Sequence, residues 1–266
     1  MIQNINIDNV EVKKSYYPYG ALHWEVPFVD RKEYGILKEY YVTGAIRSET
    51  PCVNGERHGI RKEYYVSGAL FEETPYMNGK EHGIEKGYYE SGALEREIPY
   101  VNGERHGILE SYYETGVIYS ETPYENGEIH GIRKEYSESG DLSGETPYVN
   151  GKKNGIAKDY YKSGALRAET PYVNGNIHGI IRYYRESGTL WEETPFVNGE
   201  RHGIAKHYFE SGALCQETPF VNGEIHGIHK TYNKDSANIN GLRLYEVGHR
   251  VASIDSIYKE INHVYD

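Results

Sequence analysis

The sequence predicts an all-β protein: an elongated, single-layer antiparallel meander of nine 24-residue β-hairpin repeats, closed by a short C-terminal capping helix. Three observations predict it. Proline stands at 27, 51, 75, 99, 123, 147, 171, 195 and 219, so every step is 24 residues. Two glycine series, from 20 to 212 and from 35 to 227, keep the same step without insertion or deletion. Between these marks lie runs of 7 to 9 residues rich in Tyr, Ile, Val and Thr, which are strand formers. Helices are excluded across the repeats, because Gly or Pro interrupts every few residues. The chain divides into an N-terminal edge segment at 1–11, the repeats at 12–231, and a degenerate repeat with its cap at 232–266.

Each unit carries two turn signals. Ser-Gly recurs at Ser67-Gly68, Ser91-Gly92 and Ser211-Gly212, and Asn-Gly recurs from Asn54-Gly55 to Asn222-Gly223. Both pairs accept positive φ and mark hairpins. With Ser67-Gly68 at the centre of a two-residue turn, Tyr65 faces Leu70, Tyr64 faces Phe71, Lys62 faces Glu73 and Ile60 faces Pro75. The Lys/Glu pairing then recurs along the chain, broken at Glu110 facing Glu121. Opposite charges across a ladder each contribute about 0.2–1 kcal/mol, which supports this register. For the link between repeats, a two-residue Asn-Gly turn shifts like positions by two per repeat. A four-residue loop, Asn78-Gly79-Lys80-Glu81, gives no shift and is preferred. Nine such hairpins would extend roughly 85 Å at the usual strand spacing.

The composition agrees with a thin core. Tyr occurs 28 times and Gly 30 times, against two Met and two Trp. With a mean hydropathy of −0.74, one large spherical core is excluded. The net charge is −11, but 29 Lys and Arg are interleaved with 40 acids, so no nucleic-acid footprint is expected. Cys52 and Cys215 lie seven repeats apart, too far to bridge in a stack, and are read as free thiols in a reducing, cytoplasmic setting. The N-terminus shows no signal-peptide pattern, and no apolar stretch reaches transmembrane length. At the C-terminal end, Ile254, Ile257, Tyr258 and Ile261 have helical spacing within 252–263, which predicts a cap over the last strand edge. Asn6 to Lys14 is expected to provide an initial edge strand.

The run Gly-Ile-x-Lys-x-Tyr-Tyr-x-Ser-Gly-Ala-Leu, followed by Tyr-x-Asn-Gly-x-x-His-Gly, resembles MORN repeats. It is closest to the bacterial MORN-variant type, often labelled as antitoxins of toxin–antitoxin systems. The resemblance covers residues 12 to 231. It implies β-hairpin scaffolds for protein contacts, with lipid contact in some proposals, and no catalytic residues. The usual MORN Trp position is mostly Tyr here, as in the variant group.

No ladder points to chemistry. The His series 58, 82, 106, 130, 178, 202 and 226 suggests metal, but successive members should stand about 9.6 Å apart, and Zn needs each nitrogen within about 2.1 Å. Tyr34 and Asn154 occupy the same slot. A histidine bonded to backbone at a turn exit is the expectation. The Glu25-to-Glu217 series is explained by its facing lysines rather than by acid–base work. No phosphate loop, nucleophile elbow or zinc spacing occurs. No enzyme, cofactor or metal is therefore expected.

Two tyrosine ladders remain, one beginning Tyr16, Tyr40, Tyr64 and the other Tyr17, Tyr41, Tyr65. They point to opposite faces. The face with Tyr65, Leu70 and Tyr76 is expected to be the core. The most varied position holds Phe71, Tyr119, Arg167 and Trp191 among its members, and it is placed on the face of the complete Tyr64 ladder. That face is the candidate partner-binding surface: Tyr40, Tyr64, Phe71, Tyr88, Tyr112, Tyr119, Tyr160, Arg167, Tyr184, Trp191 and Tyr208. The expected function is a non-enzymatic protein-binding scaffold that neutralises a toxin or effector. The alternatives are a structural or assembly scaffold, a membrane-associated adaptor, and an acidic nucleic-acid mimic.

Overall fold

In a computed structural model, which describes residues 10–235 and 238–253, thirty strands run from Glu11–Tyr16 to His249–Ser253. No helix occurs among the described residues. One repeat contributes a six-residue entry strand, an eight-residue return strand and a two-residue tip strand, for example Gly59–Tyr64, Leu70–Met77 and Lys80–Glu81. The strands pair antiparallel with their neighbours in sequence.

The chain forms two compact units. The first holds residues up to His130 with Tyr136–Gly140, and the second holds Gly131–Glu135 with residues from Asp141 onward. In the first unit the hairpins run from Glu11–Tyr16 with Leu22–Val29 to Gly107–Tyr112 with Ile118–Glu125. In the second they run from Gly155–Tyr160 with Leu166–Val173 to Gly227–Tyr232 with Ile239–Glu246.

The register agrees with the charge ladder over part of each hairpin. Lys62 pairs with Glu73 and Ile60 with Pro75. Near the wide loop it departs from expectation, because Tyr64 pairs with Leu70 rather than Phe71. Ser67-Gly68 is not the centre of a two-residue turn. The Gly68 N–H donates to the Tyr65 carbonyl (2.9 Å), and the Tyr65 N–H donates to the Ala69 carbonyl (2.8 Å). This is a three-residue Val66-Ser67-Gly68 loop with Gly68 at φ +89°, a type I turn closed by a left-handed glycine. A bulge between Glu63 and Tyr64 then restores Glu63 opposite Glu72.

The link between repeats is not the preferred four-residue loop, because Lys80–Glu81 is a strand. Asn78-Gly79 is a two-residue turn with φ of 52° and 78°, flanked by Met77 opposite Lys80 and Tyr76 opposite Glu81. These angles fit the primed turn that suits strand twist. The next pair is Glu73 opposite Lys86, so His82-Gly83 forms a second bulge that absorbs the two-residue shift. The His82 N–H still reaches the Pro75 carbonyl at 2.9 Å. Gly83 sits at φ +113°, and a Cβ there would lie 3.1 Å from the Pro75 ring. Each tip also docks on the one before: the Gly79 N–H donates to the Arg57 carbonyl at 2.9 Å.

The two bulges per repeat decide where the core lies. Bulges bend a strand and raise its twist, which crowds one face. Every buried residue described falls on the positions of Arg61, Glu63, Glu72, Thr74 and Tyr76, the threonine face. Examples are Ser48, Thr50, Thr74, Ile98, Ala168, Ile181 and Phe220. The opposite, tyrosine–lysine face carries Ile60, Lys62, Tyr64, Glu73 and Pro75. Leu70 lies opposite Tyr64 on that second face, not with the core residues as expected.

At the C-terminal end the count of nine does not hold, because Gly227–Tyr232 and Ile239–Glu246 pair as a further hairpin. Its loop is one residue longer, closed by the Asn233 N–H donating to the Asn238 carbonyl at 2.8 Å. Leu242 rather than a glutamate stands opposite Lys230, so the facing Lys/Glu pair is missing from this hairpin. Of the expected helix 252–263, Ala252 and Ser253 are instead in the strand His249–Ser253, and its other residues lie outside those described. Of the expected initial edge strand, Glu11–Tyr16 is a strand and residues 6–9 lie outside those described.

Candidate functional site

The tyrosine–lysine face is a closed hydrogen-bond ladder. From Tyr40 onward each Tyr64-type hydroxyl donates to the glutamate of the preceding repeat. In the first unit Tyr40 reaches Glu25 (2.8 Å), Tyr64 reaches Glu49 (3.0 Å) and Tyr88 reaches Glu73 (3.1 Å). In the second unit Tyr160 reaches Glu145 (2.9 Å), Tyr184 reaches Glu169 (2.9 Å) and Tyr208 reaches Glu193 (2.7 Å). Most of these glutamates stand between two basic side chains. Glu49 and Glu73 take the lysine of their own hairpin, Lys38 (3.4 Å) and Lys62 (3.3 Å). Glu217 takes that of the following hairpin, Lys230 (3.2 Å), and Glu193 pairs on both sides, with Arg182 (3.9 Å) and Lys206 (3.6 Å). Tyr112 serves both Glu97 (3.4 Å) and Glu110 (2.5 Å), which gives the Glu110/Glu121 step, where two acids face each other, a donor. Burial and the Glu25 hydrogen bond push the Tyr40 phenol up to about 12. The same causes act on Tyr160 and Tyr208, with Glu145 and Glu193 as acceptors, and bring each to about 12. The Tyr40 hydroxyl, and then Lys14, hold the Glu25 carboxyl below its ordinary value.

Sequence reasoning gave these glutamates to lysine alone and missed the tyrosine. The signal was present, since both series are complete, but the diagonal reach between neighbouring hairpins shows only once the register is known. Alongside runs a row of half-exposed isoleucines. Ile60 and Ile84 are each 51% exposed, in a setting where a core position would be covered.

The second tyrosine ladder is a clamp. The Tyr41 hydroxyl donates to the Tyr64 carbonyl (2.7 Å), Tyr65 to that of Tyr88 (2.9 Å) and Tyr161 to that of Tyr184 (2.7 Å). Arg185 replaces a tyrosine in this series and does the same work, its Nη2 donating to the Tyr208 carbonyl at 3.0 Å.

The varied position lies on the threonine face, a correction to the candidate surface. In a bulge of this kind two successive side chains leave the strand on one side, so Phe71 joins Glu72 instead of Tyr64. The ring contacts agree. Phe71 packs edge-on to Tyr65 (5.1 Å), and Tyr119 packs likewise on Tyr113 (5.2 Å). Trp191 lies 6.0 Å from both Tyr183 and His207, and Arg167 pairs with Asp159 at 3.7 Å. The candidate residues therefore divide between two faces. Tyr40, Tyr64, Tyr88, Tyr112, Tyr160, Tyr184 and Tyr208 are on one, and Phe71, Tyr119, Arg167 and Trp191 on the other.

The threonine face differs from repeat to repeat. In the first unit Arg96 gathers Glu72 (2.6 Å), Glu95 (2.7 Å) and Glu85 (3.6 Å) and lies over the Phe71 ring at 5.7 Å. Gly87 makes room for it, since a Cβ there would meet the guanidinium at 2.6 Å. Burial and then the Glu72 charge raise the Glu85 carboxyl above its ordinary value. In the second unit small residues such as Ala205 leave a groove of about 360 Å3, lined by Glu192, Arg201, His207, Phe220, His229 and Tyr245 among others. Sequence reasoning missed this groove, because its residues come from different positions of different repeats and share no spacing.

Two turn-exit histidines bond to backbone as expected. His82 Nδ1 accepts from the Asn102 N–H (3.4 Å) and His226 Nδ1 from the Val247 N–H (3.5 Å). Asn154 in the same slot accepts from the Asn174 N–H (3.3 Å). Among the described residues no group of three His, Cys, Asp or Glu could hold a metal ion. Both cysteines are free thiols, and burial pushes that of Cys52 up. No helix among the described residues is long and apolar enough to cross a membrane.

No curated protein sequence matches the chain. Among solved structures, the chain is similar to one titled "Crystal Structure of TcdB2-TccC3" at 10% identity and a TM-score of 0.16. A second, "Crystal Structure of TcdB2-TccC3-Cdc42", matches at 10% identity and a TM-score of 0.15. Each match covers 92% of this chain but only 18% of the other. The model of the MORN repeat variant matches seven tandem segments, 57–78, 81–102, 105–126, 129–150, 153–174, 177–198 and 201–222. These segments make up more than half of the sequence and share the observed hairpin period, and so the chain belongs to the MORN repeat variant family.

Proposed function

We propose that this protein is a non-enzymatic, protein-binding repeat scaffold whose recognition surface is the threonine face. One observation carries the reading. The constant side chains of the tyrosine–lysine face are spent on one another, whereas the varied side chains gather on the threonine face around Phe71, Tyr119, Arg167 and Trp191. Aromatic and arginine side chains on a rigid backbone are what interfaces use as anchors. The resemblance to antitoxin-labelled MORN-variant proteins supports a toxin or effector as the partner, and the two thiols favour a reducing, cytoplasmic setting. Replacing Phe71, Tyr119 and Trp191 together by alanine is expected to weaken retention of the partner from native cells at least tenfold. Tyr64→Phe with Tyr160→Phe is expected to leave it unchanged. The reverse outcome overturns the assignment of the face.

The isoleucine row favours a second reading. Ile36, Ile60, Ile84 and Ile108 in the first unit, and Ile156, Ile180, Ile204 and Ile228 in the second, are 38–52% exposed. Contiguous apolar rows of this kind mark association sites, which suits an assembly scaffold. Sedimentation of Ile60→Lys and Ile204→Lys variants against the parent chain tests it, since an assembly through this row would dissociate.

A further inference from the structure

We propose that the groove on the threonine face of the second unit binds a carboxylate attached to an apolar body, held by Arg201 and His229. This inference does not depend on the partner-binding reading, because a small acid can bind here whether or not a protein does.

Arg201 is the first reason. Its counterparts in the first unit are satisfied by tyrosine hydroxyls: Arg57 Nη1 donates to Tyr76 (3.2 Å), and Arg105 donates to Tyr124 (3.3 Å) and Tyr100 (3.5 Å). Beside Arg201 the corresponding residues are Phe196, its strand partner, and Phe220, over whose ring the guanidinium lies at 5.2 Å. The guanidinium has no hydrogen-bond or carboxylate partner among the described residues. A planar fork of unused donors against an aromatic ring matches a carboxylate in both charge and shape.

His229 supplies a further donor. It is 8% exposed, and its Nδ1 lies 3.0 Å from Thr218 Oγ1. That hydroxyl accepts from Gln216 Nε2 (3.1 Å) and has its own proton to offer Nδ1. In the tautomer that accepts this proton at Nδ1, the neutral ring carries its own on Nε2, which has no partner among the described residues. Burial, and then the nearby Arg243 charge, keep this imidazole below its ordinary pKa, so it acts as a neutral donor. The acidic residue of the groove is already occupied. Glu192 is held by His207 Nε2 (3.4 Å) and the Thr194 hydroxyl (2.9 Å). Phe220, Ile225, Tyr245 and Ala205 line the remaining wall and give an apolar body its place. A groove of about 360 Å3 suits one aryl or alkyl acid of small size.

Titration calorimetry of the full chain with 3-phenylpropionate tests the proposal, with Trp191 fluorescence as a second signal. Saturable binding is expected. The neutral isostere 3-phenylpropanamide should bind at least tenfold more weakly. Arg201→Gln should lose at least tenfold and His229→Ala several-fold, while Arg105→Gln leaves binding unchanged. N-acetylphenylalanine identifies the source of the carboxylate: tighter binding than 3-phenylpropionate assigns a peptide C-terminus, and weaker binding assigns a free acid. Equal affinity for acid and amide overturns the proposal without recourse to any variant. So does full retention of binding in Arg201→Gln, or no binding of either acid.

Discussion

The tyrosine hydroxyls do more for this sheet than their rings alone suggest. A phenol donating to a carboxylate at 2.7–3.1 Å is a charge-assisted bond, roughly twice as strong as a neutral one. Solvent reaches this face, so the lower part of the usual range applies. Tyr64→Phe is expected to cost about 1 kcal/mol, read as a lower urea midpoint at unchanged slope. The same bonds set the pH response. Tyr40, Tyr160 and Tyr208 have folded values of about 12 against an ordinary 10.0, so the folded chain holds these protons more tightly. The stability they contribute is complete below pH 10 and is lost as pH rises toward 12. Glu25 and Glu217 shift the other way, Glu217 through the Tyr232 hydroxyl and then Lys230. Their contribution is present above 4.5 and is lost as pH falls through their folded values. Circular dichroism against pH should therefore show a plateau with loss at both ends.

At the scale of the hairpin, two bulges per repeat set the architecture. Gly83→Ala combines a φ of +113° with a Cβ 3.1 Å from Pro75, and is expected to cost about 1–3 kcal/mol. Gly68→Asn should cost less, because nothing lies within 4 Å of a Cβ there and Asn tolerates left-handed backbone. Comparing the two melting temperatures checks this. The strands and the Asn-Gly turns were legible in the sequence, because turn chemistry and the 24-residue step are local signals. The bulges were not. A two-residue turn, and a three-residue loop followed by a bulge, both leave Lys62 opposite Glu73, so the charge ladder could not distinguish them. That ambiguity put Phe71 on the wrong face. At the second turn, the four-residue loop preferred from the sequence is absent, yet the unshifted register it was meant to give is kept, since the His82-Gly83 bulge cancels the shift of the Asn78-Gly79 turn.

Across the molecule, a constant framework and a varied surface have been separated by face. Comparing the repeats in sequence was enough to show which positions vary. It could not show where they point, nor that Arg201 lacks the tyrosines that satisfy Arg57 and Arg105. Arg185 illustrates the other side of the same limit: it looks like a break in a ladder, yet it makes the ladder's hydrogen bond with a different group. Arg185→Ala is expected to weaken the clamp on the Tyr208 carbonyl, and Arg185→Tyr to restore it, read by amide exchange at Tyr208 and Phe209. The central claim is that partners are read by the threonine face. Tyr119 and Ile108 belong to one hairpin and are similarly exposed, at 42% and 52%, but they lie on opposite faces. A photo-crosslinking benzoylphenylalanine placed at each in turn, in native cells, is the most direct measurement. The account predicts a discrete crosslinked partner from position 119 and none from position 108, and a partner captured from 108 alone would contradict it.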